Sequence, residues 1–178
     1  GRVPTRRALV LATVLLLAAG CSKRSLTLTI EQAEIQQRVS TLFPIQREAF
    51  LSRVTLQNPV VVLREGSDRI GLDLEVRLAL PLLPEQSGKL TASGKLAYRP
   101  AEKAFYLEAP ALDRLEVAGV SAAQAEELRR PAEAVIVLVL PSLPVYQLAD
   151  RDAKERAAAM VLKSVAVRNG KVEAELGL

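Results

Sequence analysis

The feature that most constrains the fold is a strict alternation of apolar and polar residues from position 69 to position 80. A side-chain period of two is that of a β-strand, because successive residues point to opposite faces of a sheet. The run therefore predicts a long strand with one buried face and one solvated face, ended by Pro81. Its apolar positions are Ile70, Leu72, Leu74, Val76, Leu78 and Leu80.

Other segments of the chain have strand-like patterns bounded by turn residues. Asn58-Pro59 predicts a turn or bulge between two short strands, and Gly94 predicts a bend or bulge within a longer one. The predicted ranges are 49–56, 59–63, 89–99, 104–108, 112–117, 145–148, 161–168 and 171–178.

The last two of these strands are joined by Asn169-Gly170, the dipeptide that favours a tight type I′ hairpin. With a two-residue loop, Val167 faces Val172 and Val165 faces Ala174. The apolar faces of both strands then agree, which predicts a C-terminal hairpin.

Two helices are predicted from N-terminal capping boxes. Thr29 with Gln32 opens a helix over 30–42, and Ser121 with Gln124 opens one over 122–140. Pro131 predicts a kink or a division of the second helix into two pieces. Its end, 135–140, is apolar on all sides and fits either a fully buried helix or a buried strand, and 150–160 fits a helical turn.

Together these elements predict an α+β fold. The expected architecture is a curled antiparallel sheet of about seven or eight strands, wrapped around or covered by two main helices.

The N-terminal segment has the pattern of a targeting signal. Three arginines precede a short apolar run over 8–19, which is too short to cross a bilayer and is typical of a secretory signal. The run ends in Leu17-Ala18-Ala19-Gly20-Cys21, which resembles a relaxed bacterial lipobox. We expect a signal peptide over 1–20, a lipidated tether over 21–29 with Cys21 as the lipidation site, and one domain over 30–178. An ordinary cleaved signal with an incidental cysteine is the alternative.

Ser22, which follows the cysteine, favours sorting to the outer membrane, where the protein would face the periplasm. Between the general and the twin-arginine secretion routes the sequence leaves the choice open.

Composition removes most familiar enzyme classes. The chain has no histidine and one cysteine, so histidine-based triads, histidine-ligated zinc and an intrachain disulfide are excluded. It has 24 basic and 20 acidic residues, and three of the arginines lie in the signal, so the remainder is nearly neutral. We therefore expect no nucleic-acid partner, no cofactor, no metal and no enzymatic activity.

Several motifs in this order resemble the YceB-like lipoproteins of Gram-negative bacteria, a family with a domain of unknown function. The resemblance implies a sheet wrapped around a helix, similar to one half of the tubular lipid-binding, BPI-like fold, and no established biochemical activity. Besides the lipobox, the motifs are Leu42-Phe43-Pro44, Ser67 to Leu72, Leu143-Pro144-Val145-Tyr146, Leu162 to Val165 and Leu176-Gly177-Leu178.

The apolar face of the predicted sheet and the second helix present a candidate lining for an acyl chain. The alternative is an ordinary filled core, which uses the same aliphatic residues. The candidate ligand-lining residues are Leu72, Leu74, Val76, Leu78, Leu96, Tyr98, Phe105, Val135 and Val139.

The polar candidates favour structural roles. Tyr146 is expected half-buried, with its hydroxyl reaching a partner. The carboxylates, serines and arginines with a conceivable chemical role are better explained as a solvated surface; they are Asp68, Asp73, Glu75, Ser67, Ser164, Asp150, Asp152, Glu155, Arg129 and Arg130.

We therefore expect a non-catalytic periplasmic lipoprotein, anchored to the outer membrane, that binds a lipid or other apolar ligand. The alternative is a structural or interaction lipoprotein with a solid core, no ligand and an envelope protein as its partner.

Overall fold

The computed structural model describes residues 25–178. The predicted signal, Cys21 and the residues up to 24 lie outside the described residues. The elements in chain order are β1 (Ser25–Glu31), α1 (Gln32–Ser40), β2 (Ile45–Ala49), β3 (Ser52–Leu63), β4 (Arg69–Ala79), β5 (Gln86–Arg99), β6 (Ala104–Val117), α2 (Ala122–Val139), a 3₁₀ turn (Leu140–Ser142), β7 (Tyr146–Gln147), α3 (Arg151–Ala157), β8 (Val161–Arg168) and β9 (Lys171–Gly177).

The predicted long strand is β4, and it forms the middle of the larger sheet. Its apolar positions from Ile70 to Leu78 are buried, while Asp73, Glu75 and Arg77 on the opposite face are exposed. β3 and β5 flank it in antiparallel register, and the whole sheet has the order β2-β3-β4-β5-β6-β7. The period-two interpretation of this segment is confirmed.

A second, three-stranded sheet has the order β1-β9-β8. Its β8–β9 hairpin has the predicted register, with Val167 opposite Val172 and Val165 opposite Ala174. Asn169 and Gly170 both have positive φ, of 52° and 71°, as a type I′ turn requires. The α+β class is thus confirmed, and the described residues form nine strands in two sheets instead of seven or eight in one.

The N-terminal part of the domain differs from the prediction. Residues 25–29, which the sequence assigns to the tether, pair with β9, and Thr29 lies opposite Glu173. The first helix therefore begins at Gln32, after a strand and not after a Thr29 cap. The backbone N–H of Glu31 donates to the Glu34 carboxylate at 2.9 Å, which closes the capping box two residues later than predicted.

Two boundaries in the larger sheet were also predicted wrongly. Asn58-Pro59 forms a bulge, one of the two outcomes predicted for it, so that β3 continues through it as one strand, whereas Phe50-Leu51, predicted as strand, forms the two-residue turn between β2 and β3. Likewise the segments 104–108 and 112–117 belong to one continuous strand, β6. In both cases a residue with positive φ, Asn58 or Ala109, lets the strand continue with a local irregularity in place of a turn.

Gly94 marks a bulge between β5 and β6, as predicted. A Cβ atom at this position would lie 2.6 Å from the Cβ atom of Leu107 on β6, closer than two carbon atoms can approach. The glycine therefore allows the two strands to remain paired across the bulge.

The second helix, α2, begins at its predicted cap, where Ser121 accepts from the backbone of Gln124. It continues through Pro131 as one helix and ends in helical conformation, so the strand alternative for 135–140 is wrong. Nor is this end buried on every side, because Val137 and Leu138 are exposed. The face of α2 toward the larger sheet includes Leu128, Val135 and Val139, all buried.

One continuous hydrophobic cluster connects both sheets and the helices. Its fully packed members extend from Ile30 to Leu176. The β3–β4 loop of the larger sheet also bonds to the smaller sheet, since Val167 of β8 accepts from the backbone of Gly66 at 2.8 Å and donates to the backbone of Ser67 at 2.9 Å. Residues 25–178 therefore share one hydrophobic core.

Candidate functional site

The predicted ligand-lining residues lie together on the inner face of the larger sheet and on α2. Leu72 to Leu78 come from β4, Leu96 and Tyr98 from β5, and Phe105 from β6. The helix α2 covers this inner face and adds Val135 and Val139 to the same cluster. The sequence thus identified one spatial group.

This group is the interior of a filled core. Eight of its nine side chains are 0–2% exposed, and Tyr98 is 8% exposed. A side chain lining a water-sized void or an open tube would keep measurable accessible area. The inner face is therefore filled by its own side chains together with α2 and the rest of the hydrophobic cluster, with no open channel along these residues.

An aromatic row closes one end of this interior. The ring centroids of Tyr98 and Phe105 are 5.1 Å apart, and those of Phe105 and Tyr146 are 6.0 Å apart. The Tyr98 hydroxyl donates to the Ala157 carbonyl at 2.7 Å. Burial raises the pKa of the Tyr98 and Tyr146 phenols, and Tyr146 is half-buried as predicted.

The carboxylates on the outer face have polar partners. Asp73 accepts from the Thr91 hydroxyl at 2.9 Å, and Glu75 accepts from the Asn58 amide at 2.8 Å. These side chains border a shallow depression of about 320 Å³. Asp68, farther along the sheet, lies 3.7 Å from Lys95 in a solvated ion pair.

The remaining polar candidates are dispersed over the surface. Asp150 caps α3 by accepting from Asp152, and Glu155 pairs with Arg151 at 3.1 Å. Within residues 25–178, no group of three or more carboxylate or thiol ligands is placed to hold a metal ion.

The other four candidates also have structural contacts. Ser67 accepts from the backbone of Arg69, whereas Ser164 donates to Glu175. Arg129 donates to the Leu112 carbonyl at 2.7 Å, and Arg130 lies over the ring of Phe50.

Sequence reasoning missed an exposed apolar group at one end of the larger sheet. Phe50 and Leu51 form the β2–β3 turn, and Leu82 and Leu83 lie in the β4–β5 loop; we call these four residues the apolar tip. Their exposures are 62%, 89%, 103% and 61%. Both loops leave the sheet at the same end, because Arg53 pairs with Ala79 beside them.

The sequence gives little indication of this tip. Phe50-Leu51 and Leu82-Leu83 are apolar pairs, and Phe50-Leu51 contains none of the glycine, asparagine or aspartate that normally marks a tight turn. Pro81 and Pro84 did indicate that a loop follows β4.

These features define a class: a small α+β domain with two antiparallel sheets, a filled interior and an exposed apolar tip. Over the part of the chain that the structure describes, no helix is long and apolar enough to cross a membrane. The chain belongs to the family described as protein of unknown function (DUF1439), whose model matches residues 30–171. A comparison with curated proteins finds no match.

Proposed function

We propose that this protein is a lipid-anchored, non-catalytic component of the bacterial cell envelope that acts through its surface. Cys21 carries the acyl chains, and the domain faces the periplasm from the outer membrane. The resemblance to YceB-like lipoproteins supports this proposal. It rests on the lipobox and on the ordered motifs from Leu42-Phe43-Pro44 to the C-terminus.

The observation that carries the proposal is the filled inner face. A carrier that encloses an acyl chain needs a cavity, typically of several hundred Å³. Here Leu72, Phe105 and Val135 are at most 1% exposed and belong to one hydrophobic cluster. Of the two roles predicted from the sequence, the solid-core interaction lipoprotein therefore has the better support.

The surface polar groups support a non-catalytic role. Asp73, Glu75 and Asp68 are each engaged with a neighbouring amide, hydroxyl or ammonium group on an exposed face. Solvated hydrogen bonds and ion pairs of this kind are typical of structural contacts on a protein surface.

The test is intact-mass spectrometry of the full chain expressed in a Gram-negative host. We expect the mass of a chain cleaved before Cys21 with two or three acyl chains added, and we expect Cys21→Ser to lose this mass shift. Ser22→Asp serves as a sorting control, because it should keep the acyl chains and move the protein to the inner membrane.

A bare Cys21 thiol on protein released into the periplasm would refute the anchor. Native mass spectrometry of the chain from Ser22 onward tests the solid core. A stoichiometric co-purified lipid that remains bound through desalting would refute it.

A further inference from the structure

We propose that the apolar tip inserts into the bilayer that holds the anchor, so that the domain contacts the membrane at a second point. The position of the anchor rests on the proposed function. Insertion itself is a property of the domain and is tested below without the anchor.

The tip exposes several large apolar side chains to water within a small area. Leu51 and Leu82 are 89% and 103% exposed, close to the exposure of a free side chain. Single exposed leucines are normal on soluble proteins, whereas neighbouring groups of them mark interaction sites. The two loops are separated by about two strand spacings, or roughly 10 Å, so that their side chains act on one small area.

Backbone strain at the tip indicates that these residue types do not stabilise the turns in which they lie. Phe50, Leu51 and Leu82 have φ of 50°, 61° and 64°. A two-residue hairpin of this kind favours Asn-Gly, because bulky residues with a Cβ atom are disfavoured at positive φ. Strain that persists in an exposed turn is a feature of functional segments.

The shape of the tip fits a fluid lipid surface better than a folded partner. Its side chains protrude from two separate loops, so a rigid protein would need a matching set of pockets. The Arg130 guanidinium lies 5.0 Å from the centre of the Phe50 ring. A cation beside protruding apolar groups matches the layered chemistry of a bilayer, with anionic headgroups above acyl chains.

The anchor restricts how the tip can reach this bilayer. Ser25 lies at the far end of the domain. Its carbonyl accepts from the side chain of Arg156 at 2.9 Å, and the carbonyl of Ala157, which follows Arg156, accepts from the Tyr98 hydroxyl near the end of β5. The tip lies beside Gln86, where β5 begins. Gln86 and Tyr98 are twelve steps apart along β5, which is about 40 Å of strand.

The tether that connects Ser25 to the membrane anchor is short. Three residues separate Cys21 from Ser25, and the four steps between these two Cα atoms span at most about 14 Å. Both contacts are satisfied only when the domain lies on the bilayer with β5 roughly parallel to its surface.

The first experiment measures binding of the chain from Ser22 onward to vesicles of phosphatidylethanolamine and phosphatidylglycerol by flotation. The variant Phe50→Asn/Leu51→Gly supplies the residues that the turn prefers, so it keeps the fold. We expect its partition coefficient between vesicles and water to fall at least about tenfold, because the variant lacks two large apolar side chains whose transfer from water into lipid favours binding. The control Val60→Thr/Leu178→Ser removes two exposed apolar side chains outside the tip and should bind like the unmodified chain.

Two results would overturn insertion. One is equal vesicle binding by the unmodified chain and the tip variant, including no binding by either. The other is concentration-dependent dimerisation in sedimentation experiments that the tip variant abolishes, without vesicle binding, because the occupant would then be a second copy.

The second experiment tests the orientation with acylated full-length protein. The chain contains no tryptophan, so Phe50→Trp introduces a single emitter at the tip. With brominated acyl chains in the same vesicles, we expect quenching that is independent of vesicle concentration. Quenching that appears only as vesicles cluster would show contact with an opposing membrane and refute the shared bilayer.

Discussion

Replacing Leu72 by alanine distinguishes a filled core from a ligand channel by the size of its effect. Leu72 lies in the middle of β4, between Val61 and Ala92 of the flanking strands, and is 0% exposed. Losing its three terminal carbons forfeits about 2 to 2.5 kcal/mol of transfer free energy. The void left in a close-packed interior adds to this, for a total of about 3 to 5 kcal/mol.

A leucine that lined an open channel would behave differently. Part of its surface would already be accessible, and its truncation would widen an existing space without creating a void. The expected loss in free energy of unfolding would then be about 1 kcal/mol or less.

The assay is urea denaturation of the chain from Ser22 onward, followed by circular dichroism. Leu82→Ala is the matched control: the same substitution at a side chain that is 103% exposed should change the free energy of unfolding by less than about 0.5 kcal/mol. A loss below about 1.5 kcal/mol for Leu72→Ala, with an unchanged denaturant slope, would refute the filled core.

Two further predictions concern single contacts in this core. Gly94→Ala should lower the free energy of unfolding by about 1 to 3 kcal/mol, because the new Cβ atom would lie 2.6 Å from the Cβ of Leu107; an unchanged urea midpoint would show that the bulge can open. Burial raises the pKa of Tyr98, so the folded state holds the phenolic proton more tightly than the unfolded state. Stability should be unaffected by this group below its ordinary pKa near 10 and fall as the pH rises further, and Tyr98→Phe should make that fall shallower. This reasoning would be contradicted if the free energy of unfolding fell equally steeply with pH for both proteins between about pH 9.5 and 11, around the ordinary tyrosine pKa.

Periodicity and turn chemistry predicted the elements in which local sequence and tertiary packing agree. The alternation through β4 gave its buried face, and Asn169-Gly170 gave the register of the C-terminal hairpin. Ser121 gave the start of α2, because its hydroxyl satisfies a backbone donor that any helix leaves free. Each of these signals depends only on residues close together in the chain.

The errors occurred where distant partners decide the structure. Residues 25–29 become a strand because β9, almost 150 positions later, offers an unpaired edge. The Phe50-Leu51 turn contradicts local preference, so propensity placed it in a strand. The nine candidate lining residues lie in one hydrophobic cluster. Period and hydrophobicity are the same for a lined channel and a filled interior, so only the packing of the other elements against the sheet decides between them.

The turn at Phe50-Leu51 allows stability and membrane binding to be separated in one molecule. Phe50→Asn/Leu51→Gly relieves two unfavourable positive-φ positions, offset in part by the added freedom of glycine in the unfolded chain. We expect a net gain of about 1 kcal/mol in the free energy of unfolding, together with the loss of vesicle binding. Leu72→Ala should do the reverse, lowering stability while leaving binding of the folded fraction intact. If the turn variant instead lost stability and binding together, Phe50 and Leu51 would belong to the packing of the domain and not to a surface that it presents to lipid.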